Sequence, residues 1–112
     1  MKKVLFYVME KEKMCFMHVL MNALDLKKEG HEVKIIFEGA SVQLPQVFEE
    51  EKNPLYEKAK NEKIIEGACK ACSKMMGVFE INEKLGLKLL DDMNDHAGMK
   101  PFIEKNFEVI VF

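Results

Sequence analysis

Apolar and polar positions alternate in blocks along this chain. Val4-Leu5-Phe6-Tyr7-Val8-Met9 is an unbroken apolar run, the pattern of a strand covered on both faces. Residues from about Glu12 to Glu29 read as a helix, and Gly30 stands where a helix ends. Glu32–Phe37 is the second strand, left through Gly39-Ala40-Ser41. Pro45 and Pro54 suit first-turn helix positions. They predict a short helix after Pro45 and a longer one from Pro54 to about Glu66, capped by Asn53. The short apolar stretch Gly67–Cys72 predicts the third strand and its exit. Ser73 is read as the cap of a helix running to about Leu85 and stopped by Gly86. Leu87–Leu90 reads as a fourth strand, His96–Lys105 as a last helix and Phe107–Phe112 as a fifth strand. Strands separated by helices imply an α/β fold: three α/β/α layers around a five-stranded, mainly parallel sheet.

One helix has more apolar surface than its place requires. Between Met14 and Leu26 only His18, Asn22 and Asp25 are polar, on a single narrow stripe. A surface helix needs one apolar face. The surplus predicts packing against another subunit.

The chain has 112 residues, 48% of them hydrophobic and 32% charged, which fits one domain over residues 1–112 with a real core. The net charge is −2, and all 17 basic residues are lysine. No basic excess exists to neutralise a nucleic-acid backbone. Without arginine the chain cannot build a Cys-x5-Arg phosphatase loop or an arginine-dependent rhodanese loop. No segment reaches the ~20 apolar residues of a membrane helix. Lys2 and Lys3 before a short apolar run imitate a signal peptide, but Glu10–Lys13 interrupt it. The expectation is a cytoplasmic chain with no membrane attachment. Three cysteines cannot all pair with one another, so they read as thiols that react or bind.

The strongest chemical signal is Cys69-Lys70-Ala71-Cys72-Ser73-Lys74. A cysteine reacts as its thiolate, which a helix N-terminus and nearby lysines favour. Cys72, just before the expected Ser73 cap and flanked by Lys70 and Lys74, is the candidate attacking thiol. Cys69 is the candidate resolving thiol. The alternative is a pair of buried thiols acting as small apolar side chains. Cys15 and His18 form a Cys-x-x-His on the first helix, and with Cys69 and Cys72 they match the count of a Cys3His zinc site. The match requires the first helix to approach the third strand's exit. His31 reads as an exposed turn residue. His96 follows the fourth strand, so it could share a site with Cys72 outside the carboxyl ends of the strands, or simply start a helix.

Gly-x-Gly-x-x-Gly, Walker and Gly-x-Ser-x-Gly sequences are absent. Glu10-Lys11-Glu12-Lys13 offers no cradle for a flavin phosphate. A receiver domain would carry an aspartate, not a cysteine, after the third strand. A thioredoxin would carry its Cys-x-x-Cys after an early strand.

The chain resembles the DsrE-like family of small α/β proteins, which includes the sulfur-relay subunits. The resemblance spans nearly all residues. It rests on the order and spacing of Lys3–Met9, Gly30-His31-Glu32-Val33, Phe37-Glu38-Gly39-Ala40-Ser41-Val42, Cys69–Ser73 and Asn106–Phe112. It implies a sulfur-handling protein, possible sulfurtransferase or carrier, that accepts persulfide sulfur on Cys72 and passes it on. Cys69 is not general in the relay subunits, which leaves thiol redox chemistry or metal binding open. The resemblance further implies sulfur donor and acceptor proteins, a homotrimer or homohexamer, and no cofactor. The competing reading is an oligomeric binding or regulatory protein whose Cys-x-x-Cys is structural or holds zinc.

Overall fold

The computed structural model describes residues 1–112. Its strands are β1 (Lys3–Val8), β2 (Glu32–Phe37), β3 (Ile65–Cys69), β4 (Leu89–Leu90) and β5 (Glu108–Val111). They form one parallel sheet in the order β4-β3-β2-β1-β5, flanked by helices as a three-layer α/β/α fold. β1 is buried along Val4–Val8, as its unbroken apolar run requires of a central strand.

Helix α1 (Lys13–Lys28) buries Phe16, Val19, Leu20 and Ala23 and leaves Met14, Cys15 and Met21 exposed. Phe16 meets Phe37 of β2 and Phe48 at ring-centroid distances of 5.1 and 5.2 Å. Beyond β2 a 3-10 turn (Gly39–Gln43) leads into α2 (Leu44–Glu50) and then α3 (Pro54–Asn61). The Asn53 side chain caps α3, accepting from the amides of Leu55 and Tyr56.

Several expected boundaries differ. α3 ends at Asn61, not Glu66, because Lys63 turns into the left-handed region (φ 60°) and Ile64 drops into the core. β3 therefore starts at Ile65. The expected helix from Ser73 to Leu85 is two helices, α4 (Lys70–Met75) and α5 (Phe79–Lys84), separated at Gly77 (φ 72°). Ser73 is no cap. It lies buried inside α4, where its hydroxyl meets the Asn82 amide at 3.1 Å. The last expected helix shrinks to α6 (Lys100–Ile103). Residues Met93–His96 form a tight hairpin turn instead, with reciprocal Met93–His96 backbone bonds and positive φ at Asn94 and Asp95. That is the geometry of a type I′ turn, which suits Asn and Asp.

Candidate metal and thiol site

The carboxyl ends of β2 and β3, the start of α4 and the hairpin after β4 converge on one point. Glu38 is the first residue after β2 and caps the 3-10 turn. Cys69 ends β3 and is itself the N-cap of α4, its Sγ accepting the Cys72 amide at 3.4 Å. Cys72 follows in the first turn of α4. His96 comes from the hairpin, which is strapped to α4 by the Ala71 amide donating to the Asp95 carbonyl at 2.8 Å. Open α/β sheets gather ligands at this edge.

Donor atoms of Glu38, Cys69, Cys72 and His96 all lie within 4.8 Å of one another. The His96 Nδ1 is 3.3 Å from Cys69 Sγ, 3.5 Å from Cys72 Sγ and 3.6 Å from Glu38 Oε1. Around a tetrahedral zinc, neighbouring S, N and O donors stand about 3.3 to 3.8 Å apart. Three of the contacts match those edges. The fourth, Cys72 Sγ to Glu38 Oε1, is 2.6 Å and is a thiol donating to a carboxylate.

Glu38 is almost wholly buried and fully engaged. Its Oε1 also accepts the Gly39 amide at 3.0 Å, and its Oε2 the Ala97 amide at 3.2 Å. The buried Tyr7 hydroxyl shares its proton between two acceptors, the Ala97 carbonyl at 2.6 Å and Oε2 at 3.2 Å. Burial opposes the Glu38 charge, but hydrogen bonds from Cys72, Cys69, Gly39 and Tyr7 outweigh it and lower its pKa. The same carboxylate acts on the thiols. Burial, then the hydrogen bond to Glu38, pushes Cys72 up to about 12. Burial also raises Cys69, against the amides of Cys72 and Ala97. Burial and the Glu38 charge raise Tyr7.

The site brings together Cys69, Cys72 and His96, all legible in the sequence, but alters the roles expected of them. The helix-start amide serves Cys69, not Cys72. Lys70 and Lys74 are engaged by aspartates. Lys70 pairs with Asp91 and Asp95 at 3.5 and 3.8 Å, and Lys74 with Asp95 at 3.6 Å. The expected Cys3His set is corrected: Cys15 and His18 are exposed on α1 and outside the cluster, and Glu38 takes a place in it. His31 is half-buried, and its Nδ1 accepts the Lys2 amide at 2.9 Å. Glu38 and Tyr7 were not singled out from sequence. The available signal was a lone carboxylate between Phe37 and Gly39, where a buried strand ends. None of the four surface cavities is lined by a residue of the cluster.

Comparison with known proteins gives a relative at 36% identity over 97 residues, the uncharacterized protein MJ0733 of Methanocaldococcus jannaschii. The alignment takes in 84% of this chain and 77% of the relative. The chain belongs to the family of that protein. No known family profile matches it, and no solved structure does.

Proposed function

We propose that the protein binds a thiophilic divalent metal, with zinc the best fit, through Cys69, Cys72, His96 and Glu38. One observation carries this reading: four donors from three separate connections lie within 4.8 Å of one another, with His96 at tetrahedral-edge distances from the other three. Burial, with the hydrogen bond to Glu38 adding to it, raises the pKa of both thiols beside a carboxylate whose own pKa is lowered. A divalent cation resolves that conflict, because it lets the thiolates and the carboxylate be charged together. Two sulfurs, one imidazole and one carboxylate suit zinc better than magnesium or calcium, which take oxygen shells. Metal analysis of protein purified without chelator tests it. About one zinc per chain is expected, lost in Cys72→Ser and weakened in Glu38→Gln. Cobalt substitution should give the visible absorption of a tetrahedral thiolate site. Metal-free wild type with no affinity for zinc or cobalt sinks the proposal.

The sulfur-carrier reading has its own support in the Cys69 cap. A thiol at a helix start, with a second thiol one turn on, is an arrangement that can accept and pass sulfur. This arrangement shifts the attacking role toward Cys69, the sulfur that accepts a backbone amide. In that reading, akin to the DsrE-like relay subunits, partner proteins supply and remove the sulfur. The exposed Met14, Cys15 and Met21 of α1 are where a second copy would pack. Intact mass after a persulfide donor decides it: one added sulfur on metal-free wild type, absent in Cys69→Ser, is the expected result. Loading kept when both Cys69 and Cys72 are changed to serine, and lost in Cys15→Ser, would remove both thiols from the role.

A further inference from the structure

The two sulfurs of the cluster belong to residues three apart across the start of α4. As N-cap, Cys69 turns its side chain back over the first helical turn, which is why its Sγ reaches the Cys72 amide. The sulfurs already lie within 4.8 Å of each other. A disulfide needs about 2.05 Å between them and a Cα separation of roughly 4.4 to 6.8 Å, which adjacent turns of a helix start provide. Rotation of the Cys72 side chain away from Glu38 is the motion required. Cys15, the other thiol of the chain, is exposed on α1 and outside the cluster.

We infer that Cys69 and Cys72 are a dithiol–disulfide couple, and that disulfide formation and metal binding are alternative states of this one centre. The inference rests on the metal reading above and adds to it a redox activity. The oxidant class is a hydroperoxide. Two metal-bound thiolates give up two electrons, one S–S bond forms and two metal–sulfur bonds break. The O–O bond of hydrogen peroxide takes the electrons and, with two protons, leaves as two waters. Zinc departs as Zn2+, its oxidation state unchanged. A disulfide is a poor ligand, so only His96 and Glu38 would remain, half of the shell. A dithiol reductant reverses the step by exchange and restores the site.

The geometry also says what the exchange does to the fold. With a metal bound, the ion would join α4 to the hairpin through His96 and to the end of β2 through Glu38. In the disulfide form the bridge stays within the start of α4, and the hairpin is tied to α4 only by the Ala71–Asp95 backbone bond and the lysine–aspartate pairs. Oxidation therefore loosens the contact between α4 and residues 91–97 while leaving α4 itself closed.

The test uses the zinc-loaded full chain carrying Cys15→Ser, which removes the exposed thiol that could cross-link molecules. Zinc content is measured first. Hydrogen peroxide is then added with a chromogenic chelator, and intact mass is read in parallel. The expected result is release of all bound zinc, with the chain mass lower by two hydrogens, and recovery of zinc binding after dithiothreitol. The same treatment of Cys72→Ser, loaded with whatever zinc it holds, should give no loss of two hydrogens. Zinc retained beside a formed disulfide overturns the inference. So does zinc lost with a gain of two or three oxygens, the signature of sulfinate or sulfonate. A chain holding no zinc before oxidation fails the metal reading instead. There the mass alone still decides whether the couple forms.

Discussion

At the residue scale the centre depends on one carboxylate held from behind. Tyr7 and the Ala97 amide fix Oε2 of Glu38, so that Oε1 faces the sulfurs. Groups that orient ligands in this way typically change metal affinity by roughly ten- to a hundredfold when removed. Tyr7→Phe is therefore expected to weaken zinc by that factor while keeping the ion's tetrahedral cobalt spectrum, measured by competition with a chromogenic chelator. An unchanged affinity would make Tyr7 a core residue only. The metal-free protein carries a pH signature. The folded state holds the Cys72 proton more tightly than the unfolded chain does, from an ordinary 9.0 up to about 12, through burial and then Glu38. Its contribution to stability is thus full below pH 9 and is lost as pH rises toward 12. Denaturant titrations of metal-free wild type and Cys72→Ala across that window should converge as pH rises, by a few kcal/mol at most. A constant gap would show that Cys72 does not titrate as described. Cysteine and histidine were legible as candidates because they are scarce. Glu38 was one of 19 acidic residues, and only the sheet edge distinguishes it.

At the element scale, the strands were read well where burial leaves one period possible. β1 and β2 have unbroken or nearly unbroken apolar runs and appear within a residue of their expected bounds. One boundary failed at a glycine, Gly77, which splits the helix expected from Ser73 to Leu85, and others failed where residues other than glycine or proline make the turn. Lys63 ends the turn after α3, and the Asn94-Asp95 turn draws in His96, so that the helix expected from His96 starts only at Lys100. Neither Lys63 nor Asn94-Asp95 breaks the local helical pattern strongly enough to be seen without the tertiary contacts. Gly67 shows the reverse case, a glycine demanded by a neighbour. A Cβ there would lie 2.4 Å from the Lys88 carbonyl, which accepts the Ala68 amide where β3 meets β4. Gly67→Ala is expected to cost about 2 kcal/mol or more by forcing β4 away. Asn53→Ala removes a surface cap and should cost about 1 kcal/mol. Chemical denaturation compares the two, and a milder effect at Gly67 than at Asn53 would show that β4 yields freely.

At the scale of the whole molecule, the sheet order β4-β3-β2-β1-β5 explains why one edge holds the chemistry. Strand order was not legible in the sequence, since it depends on which crossovers pack together and not on any local pattern. Parallel pairing stacks the carboxyl ends of β2, β3 and β4 side by side, and their exits supply Glu38, Cys69 with Cys72, and His96 in turn. The same arrangement sets an order of events. Donors spread from position 38 to position 96 cannot meet until two crossovers have closed and the hairpin after β4 has turned back. An ion that needs all of them has no grip on the transition state. It should act as a latch and not as a seed: zinc slows unfolding by the full factor of its equilibrium effect and leaves the folding rate unchanged. Stopped-flow denaturant jumps with and without zinc read this directly. Faster folding with zinc would mean that the Cys69–Cys72 turn captures the ion early and that the rest of the chain assembles around it.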